Sequence, residues 1–448
     1  MHNSKISVVG TGYVGLCTAV GFASRNYSVI AADNDTEKIA KICKGIPPFH
    51  EPGLSNLLVK GLENGNFKCL TNQTQQAVLE TDFTFVAVGT PSKPDGSIDL
   101  RYIESAAQDI GKALKQKTTY HITVIKSTVV PGTTQNVVKP ILEKESMKKC
   151  GKDFGLCMNP EFLRQGCAFE DTTNADRLVI GSFDKKAGDK LEKLYNGFYG
   201  KKKPPTIRTS LATAELIKYA SNSLLATKIS FANMIANICE RIPGADVKVV
   251  AKAMGLDKRI GPLFLDAGIG YGGSCFPKDV KALIACSKNL GYDPEILESV
   301  ENINKHQPLR AIQLCEEQVG SLKGKQIAIL GLAFKPDTDD MREARVIPII
   351  KGLLERGAKI KAYDPVAIPV AKSIFSNKIQ YAKTALSCLQ KADCAIIITE
   401  WPEFKKLKPE DFIQHMKQPV LIDGRRIYNP EDFIKLKFAA IGLGSLNN

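Results

Sequence analysis

The chain has 448 residues, 44% of them hydrophobic and 24% charged, a balance that predicts a soluble globular protein of about two or three domains. No apolar run approaches the roughly 20 residues of a membrane span, and the N-terminal stretch enters a strand pattern without a signal-peptide profile, so the expectation is a cytoplasmic protein with no membrane partner. The formal net charge of +14 is spread along the chain and aromatics are only 7%, a pattern that favours an anionic small substrate over nucleic acid.

In chain order, residues 5–9 predict a strand, 14–24 a helix, and 28–32 a second strand ending at Asp33. Further strands are expected at 83–88, 121–126 and 178–180. Strands alternating with helices predict a parallel, doubly wound sheet. Residues 213–241 contain neither Gly nor Pro, and Leu216, Tyr219, Ala220, Leu224, Ile229 and Ile235 recur at helical spacing. They predict one long helix, ended by Pro243 and Gly244, with a shorter helix at 246–254. The long helix is either a connector and dimer core or a buried helix within one subunit. Alternation returns with strands at 326–330, 359–363, 394–399 and 420–422 and a helix at 346–355.

Twelve cysteines show no CxxC pair. Cys17, Cys239, Cys286, Cys315 and Cys394 sit in apolar segments, as buried thiols in a reducing compartment do. The histidines (His2, His50, His121, His306, His415) form no cluster. No metal is expected, and proton transfer falls to Lys, Asp or Glu.

The first strand runs into Gly10-Thr11-Gly12-Tyr13-Val14-Gly15, a GxGxxG at the start of a helix. These glycines permit a tight turn and a close approach of backbone to a pyrophosphate at the helix N-terminus. Asp33 follows at the end of the second strand, where a ribose-binding carboxylate belongs, and it disfavours a 2′-phosphate. The reading is a Rossmann-like domain that binds NAD. Two more strand ends, Val88-Gly89-Thr90-Pro91 and Lys126-Ser127-Thr128-Val129, face the same crevice by topology. They suit a nicotinamide ribose, or are ordinary turns. The predicted fold is α/β: two Rossmann-like doubly wound domains joined by a central long helix, with domains at 1–205, 206–305 and 306–448.

Residues 264–280 read FLDAGIGYGGSCFPKDV. The glycines predict a flexible loop that can wrap a ligand closely. Cys275 follows them, with Lys278 and Asp279 just behind. A nearby cation favours thiolate, which suits a nucleophile; a structural cysteine fits the same spacing. Lys218 and Asn222, four apart, share a helix face. Glu161 lies in the loop NPEFL. Composition alone leaves these three as exposed polar residues.

GTGYVG, VGTP, KSTV, NPEFL, the Lys218–Asn222 helix, GGSCFPKD, FKPDTDDMRE and DGRR occur in that order from Gly10 to Arg425. In this the chain resembles the UDP-glucose/GDP-mannose dehydrogenases. The serine and phenylalanine flanking Cys275 resemble the branch acting on UDP-glucose; the N-acetylmannosamine branch typically has GGHC, and GDP-mannose enzymes typically have Leu after the Cys. A sister enzyme acting on GDP-mannose or UDP-N-acetylmannosamine is the alternative.

The resemblance implies a four-electron oxidation in which UDP-glucose, two NAD⁺ and water give UDP-glucuronate and two NADH. Cys275 would capture the aldehyde as a thiohemiacetal, later a thioester. Lys218 and Asn222 would stabilise the C6 oxyanion. Asp279 would orient a water or a Lys, Glu161 would act through a water as acid/base, and Thr128 would position that water or the nicotinamide end. Lys38, Thr90, Ser127, Gln165, Lys278 and Arg342 would join the GxGxxG residues and Asp33 at the cofactor. Lys335 and Arg425 would hold the UDP portion, with Phe334 packing nearby. Phe162, Leu163, Arg164, Phe264, Leu265, Gly268, Tyr271 and Gly272 would line the substrate, and Arg259 would reach a neighbouring subunit's site in a homodimer or larger oligomer. Gln165 departs from the family, which commonly has a second Glu there. The hydrolytic step then rests on Glu161 or Asp279.

Overall fold

The computed structural model describes residues 4–445, so His2 lies outside the described residues. The chain divides into two units, 1–221 and 222–448.

The first unit is built on eight strands: β1 (Lys5–Val9), β2 (Ser28–Asp33), β3 (Phe67–Thr71), β4 (Phe83–Val86), β5 (His121–Ile125), β6 (Phe154–Met158), β7 (Leu178–Ser182) and β8 (Thr206–Thr209). Their order is β3-β2-β1-β4-β5-β6-β7-β8. Both faces of the central strands are covered, so β4 and β5 are buried at every residue and β1 at all but Lys5, the polar Ser7, Thr84, His121 and Thr123 included. The strands stay parallel at β1, but successive strands switch from one side of it (β2) to the other (β4). The loops after β1 and β4 therefore open a crevice at the carboxyl ends of the strands.

One expectation is corrected here. The sheet is not wholly parallel, because β7 runs antiparallel to β6. The segment 159–177 between them carries one short helix, Ala168–Thr173, in place of a crossover helix that spans the sheet. The strand at 83–88 stops at Val86. The expected division at 205/206 falls just before β8, which pairs with β7 and belongs to the first sheet.

The helix Leu211–Cys239 is continuous and carries the chain from the first unit into the second. The second unit has a six-stranded parallel sheet: β9 (Gln326–Leu330), β10 (Lys359–Tyr363), β11 (Gln380–Tyr381), β12 (Cys394–Ile397), β13 (Val420–Asp423) and β14 (Lys437–Ala440), in the order β11-β10-β9-β12-β13-β14. Its central strand β9 repeats the switch seen at β1. The helix Glu295–Val319 lies over this sheet with Val300, Ala311, Ile312, Leu314 and Cys315 buried. The expected division at 305/306 falls inside that helix, which continues through Pro308. Proline removes the N–H that would bond the carbonyl four residues back. That carbonyl, on Asn304, accepts instead from the Arg345 guanidinium at 3.4 Å.

Among the described residues, no helix is long and apolar enough to cross a membrane. No group of His, Cys, Asp and Glu there could hold a metal ion, and the cysteines form no disulfide.

Candidate active site

The turn after β1 has the geometry that a dinucleotide needs. Gly10 has φ +92°, and a Cβ there would sit 2.7 Å from the Ala87 carbonyl oxygen. A Cβ on Gly15 would sit 1.8 Å from the Gly10 oxygen. Gly12 differs: nothing lies within 4 Å of its missing Cβ, and it precedes the helix Tyr13–Ser24 with no side-chain cap. The start of that helix thus has no side-chain cap and no side chain at Gly12 to crowd it, which fits a diphosphate.

Asp33 sits beside this turn. It accepts from the Thr11 N–H at 2.7 Å, the Thr11 hydroxyl at 2.8 Å and Lys38 Nζ at 3.1 Å. Partial burial works against its charge, but these donors and the Asp35 N–H outweigh it and hold the carboxyl below its ordinary range. A fixed carboxylate here fits the ribose hydroxyls of NAD. The two neighbouring strand ends are tied together. Thr90 Oγ1 donates to the Thr128 carbonyl at 2.9 Å, and Ser127 Oγ donates to Val88 O at 2.7 Å.

A charged cluster is buried in the first unit. Glu161, 8% exposed, pairs through Oε1 with Lys218 Nζ at 3.0 Å, and Lys218 is itself 4% exposed. The other carboxylate oxygen accepts the Leu163 N–H at 2.6 Å. Burial alone would raise the Glu161 pKa. Lys218, the Leu163 N–H and Lys126 together keep it below the ordinary carboxylate range. The cluster is therefore not the exposed polar set that composition suggested.

Lys126 stands out because the sequence pointed only to its neighbours Ser127 and Thr128. It is buried and donates to Asn159 Oδ1 at 2.9 Å; Asn159 also accepts from Tyr195 and donates to the Val179 carbonyl at 2.8 Å. Burial brings its pKa down to about 8, with Glu161 opposing and Lys218 reinforcing the fall. Its place in KSTV, one residue past a buried strand, was the available signal. The Phe162 ring lies under the Arg177 guanidinium at 3.7 Å and near Lys218 Nζ at 5.5 Å.

In the second unit, Cys275 is exposed and occupies the N-cap of the helix Phe276–Asn289. The positive end of the helix favours a thiolate there. Ser274 Oγ lies 3.6 Å from the sulfur, and the Arg342 guanidinium is close enough to interact with it electrostatically. One helical turn on, the buried Asp279 carboxylate accepts from Lys278 Nζ and from Asn222 Nδ2, both at 2.6 Å. So Asp279 holds both a lysine and the Asn222 amide.

The glycine run before Cys275 is not the free loop expected from composition. Gly268 N donates to Asn233 Oδ1 at 2.8 Å and its carbonyl accepts from Gln307 at 2.9 Å. Tyr271 N donates to Asn304 Oδ1 at 2.8 Å, and Gly273 N donates to Arg342 O at 2.9 Å. A Cβ on Gly272 would meet Glu343 O at 2.4 Å, and one on Gly273 would meet the Phe334 ring at 2.8 Å. Missing side chains here permit close packing, and buried amides pin the backbone.

The remaining expected residues scatter more. Arg425 donates to Ile398 O at 2.6 Å and Gly270 O at 3.3 Å, so it braces the cysteine loop. Lys335 is half-buried beside Phe334, and Leu265 is buried beside the more open Phe264. Arg259 is exposed and paired with Asp257 at 2.6 Å. Arg342 is paired with Asp340 at 2.6 Å. Arg164 is held by Asp171 at 2.6 Å. The Tyr13 hydroxyl, on the first residue of the fingerprint helix, is bonded to Glu51.

Two doubly wound sheets, a glycine turn with its carboxylate, and an exposed thiol at a helix start define a dinucleotide-dependent oxidoreductase. Residues 4–199 match the NAD binding domain of the UDP-glucose/GDP-mannose dehydrogenase family, 212–306 its central domain and 328–430 its UDP binding domain. The chain belongs to that family, and its cofactor is NAD. It is 44% identical over 428 residues to the UDP-glucose 6-dehydrogenase TuaD of Bacillus subtilis, covering 96% of this chain and 90% of that one. It is 42% identical to the UDP-glucose 6-dehydrogenase AglM of Haloferax volcanii, covering 94% and 97%. The structure of a UDP-glucose dehydrogenase from Pyrobaculum islandicum matches with a TM-score of 0.90 at 39% identity, covering 99% and 97%.

Proposed function

We propose that this chain oxidises UDP-glucose at C6 to UDP-glucuronate with NAD, through a covalent adduct on Cys275. The observation that carries the covalent step is the exposed thiol at a helix N-cap with the Arg342 guanidinium beside it. Bound NAD supplies the two-electron acceptor for each of two oxidations. The chain's residues do the rest.

The Cys275 thiolate adds to the C6 aldehyde to give a thiohemiacetal, which keeps the reactive carbon from leaving while cofactor exchanges. Oxidation of that adduct leaves a thioester. Water adds to the thioester carbon, the C–S bond breaks, and carboxylate and thiol are released. Lys218, paired with Glu161, stabilises negative charge on the C6 oxygen together with Asn222. Glu161, kept ionised, accepts a proton from the alcohol or the hydrolytic water. Asp279 holds Asn222 and Lys278 in place. Lys335, Phe334 and Arg425 bind the UDP portion.

The chain is further proposed to act in the cytoplasm as a homodimer. Leu224, Phe231, Met234, Ile238 and Ile242 form an exposed apolar stripe at helical spacing in the second unit, and a second copy of the same stripe would cover it. Arg259 would then serve the partner's site.

The deciding assay is stoichiometry. Two NADH per UDP-glucose are expected, with little product from GDP-mannose or UDP-N-acetylmannosamine. One NADH per sugar nucleotide, or a preference for either alternative, overturns the assignment. Cys275→Ser is expected to abolish conversion to the acid; undiminished conversion removes the covalent step.

A further inference from the structure

The segment 161–173 carries Glu161 at one end and Gln165 in its middle, and it is held by two carboxylates. On one side of Gln165, Asp171 Oδ2 accepts the Arg164 N–H at 2.8 Å, and its two oxygens pair with the Arg164 guanidinium. On the other side stands Glu51, 6% exposed. Glu51 Oε2 accepts the Gly166 N–H at 2.9 Å, and Oε1 accepts the Phe169 N–H at 3.1 Å. Its third donor is the Tyr13 hydroxyl. The Gly166 N–H also reaches the Tyr13 oxygen at 2.9 Å.

Tyr13 is the fourth residue of the glycine fingerprint and the first of its helix. Its ring stacks on Phe49 at 4.2 Å between centroids. The carboxylate thus ties the helix that faces the dinucleotide diphosphate to the loop that carries Gln165. All three partners are donors, and the two carboxyl oxygens of Glu51 accept from them. Burial and the neighbouring carboxylate both raise the Tyr13 pKa, which keeps the phenol a donor.

We infer that Glu51 is a positioning residue for the cofactor: through Tyr13, Gly166 and Phe169 it sets loop 164–169 against the dinucleotide turn, so that its loss weakens NAD binding before it affects the sugar nucleotide. The inference rests on NAD as the dinucleotide and does not depend on which sugar nucleotide is oxidised. Gln at this position has one acceptor oxygen and presents an NH₂ to a donor. It can replace part of the latch only.

The test is NADH fluorescence titration of wild type, Glu51→Ala, Glu51→Gln and Tyr13→Phe, with KM for NAD and for UDP-glucose measured beside it. Glu51→Ala is expected to raise the NADH dissociation constant about tenfold or more, the scale of losing charge-assisted hydrogen bonds. Glu51→Gln should fall between it and wild type. Tyr13→Phe should raise it least, because Gly166 and Phe169 keep their acceptor. KM for NAD should follow these changes while KM for UDP-glucose holds. A purely structural Glu51 would lower the thermal midpoint and the active fraction but leave both constants unchanged. That result, or a proportional rise in both KM values, overturns the inference. Should Glu51→Ala fail to fold, the Gln and Phe variants decide by the same criterion. A wild type that binds NADH yet ignores UDP-glucose defeats the substrate assignment and leaves the NADH comparison standing.

Discussion

Glu161 is a buried carboxylate whose charge depends on two lysines. Lys218 contacts it directly, and Lys126 acts from within the same cluster. Glu161 must be ionised to accept a proton, so the acid limb of kcat/KM reports its titration. Removing a cation raises the pKa of a neighbouring carboxyl. Lys126→Met is therefore expected to move the acid limb to higher pH, with the basic limb set by other groups; an unmoved acid limb would show that Lys126 does not tune Glu161. A second change separates base from electrostatic partner. Glu161→Gln keeps the hydrogen bond to Lys218 and cannot accept a proton. Thioester hydrolysis should slow and a covalent adduct on Cys275 should accumulate, visible by intact-mass measurement. No adduct with turnover near wild type would assign hydrolysis elsewhere, with Asp279 next in line. The chemistry of these residues was legible in the sequence only through the family resemblance. Composition marks Lys218 and Glu161 as surface residues, because burial of a charge is decided by its partner, and the partner is far away in the chain. Lys126 was missed for the same reason, since its acceptor Asn159 lies on another strand end.

Elements were more legible than contacts. Strands β1, β9 and β10 and the helix Val346–Glu355 occur at the residues their hydrophobic patterns indicate. Strand β6, FGLCM, is an apolar run too short for periodicity to separate from helix, and β11 has only two residues. Pro308 lies inside a helix, and the carbonyl its missing N–H leaves is taken up by a guanidinium. Histidine offers a further case. His121 lies in β5 with its Nε2 against Thr84 Oγ1 at 2.8 Å, while Nδ1–H donates to Thr81 O at 3.0 Å. Burial, reinforced by Lys117, drops its pKa to about 3. Its unfolded value lies near 6.5. Between these two values the unfolded chain binds the proton and the folded chain does not, so stability falls as pH falls through that window. The His121 contribution should be about 1.4 kcal/mol per pH unit. The urea midpoint of the first unit should accordingly drop less steeply below pH 6.5 in His121→Gln than in wild type; parallel slopes would mean His121 is not held neutral.

At the scale of the whole molecule, a sequence pattern says that a helix has two apolar faces without saying what covers the second. The helix Leu211–Cys239 buries Ala226, Ala232, Ala236 and Cys239 and leaves Leu224, Phe231, Met234 and Ile238 at 38% to 62% exposure. Small residues on the buried side allow close packing within the unit, while large apolar residues face outward. That distribution is costly in water and typical of a surface that a second copy covers. A two-fold interface places each stripe against its equal, so one charge introduced per chain appears twice. Leu224→Glu combined with Phe231→Glu would set four carboxylates on the joined stripes. Light scattering behind size exclusion should give twice the chain mass for wild type and the single-chain mass for the variant. NADH binding should survive, because the fingerprint turn lies in the first unit's own sheet. Turnover should fall if Arg259 completes the partner's site, and Arg259→Ala should then lower turnover without changing the mass. A monomeric wild type would remove the dimer and with it the shared role of Arg259. A dimeric variant would move the interface to another surface.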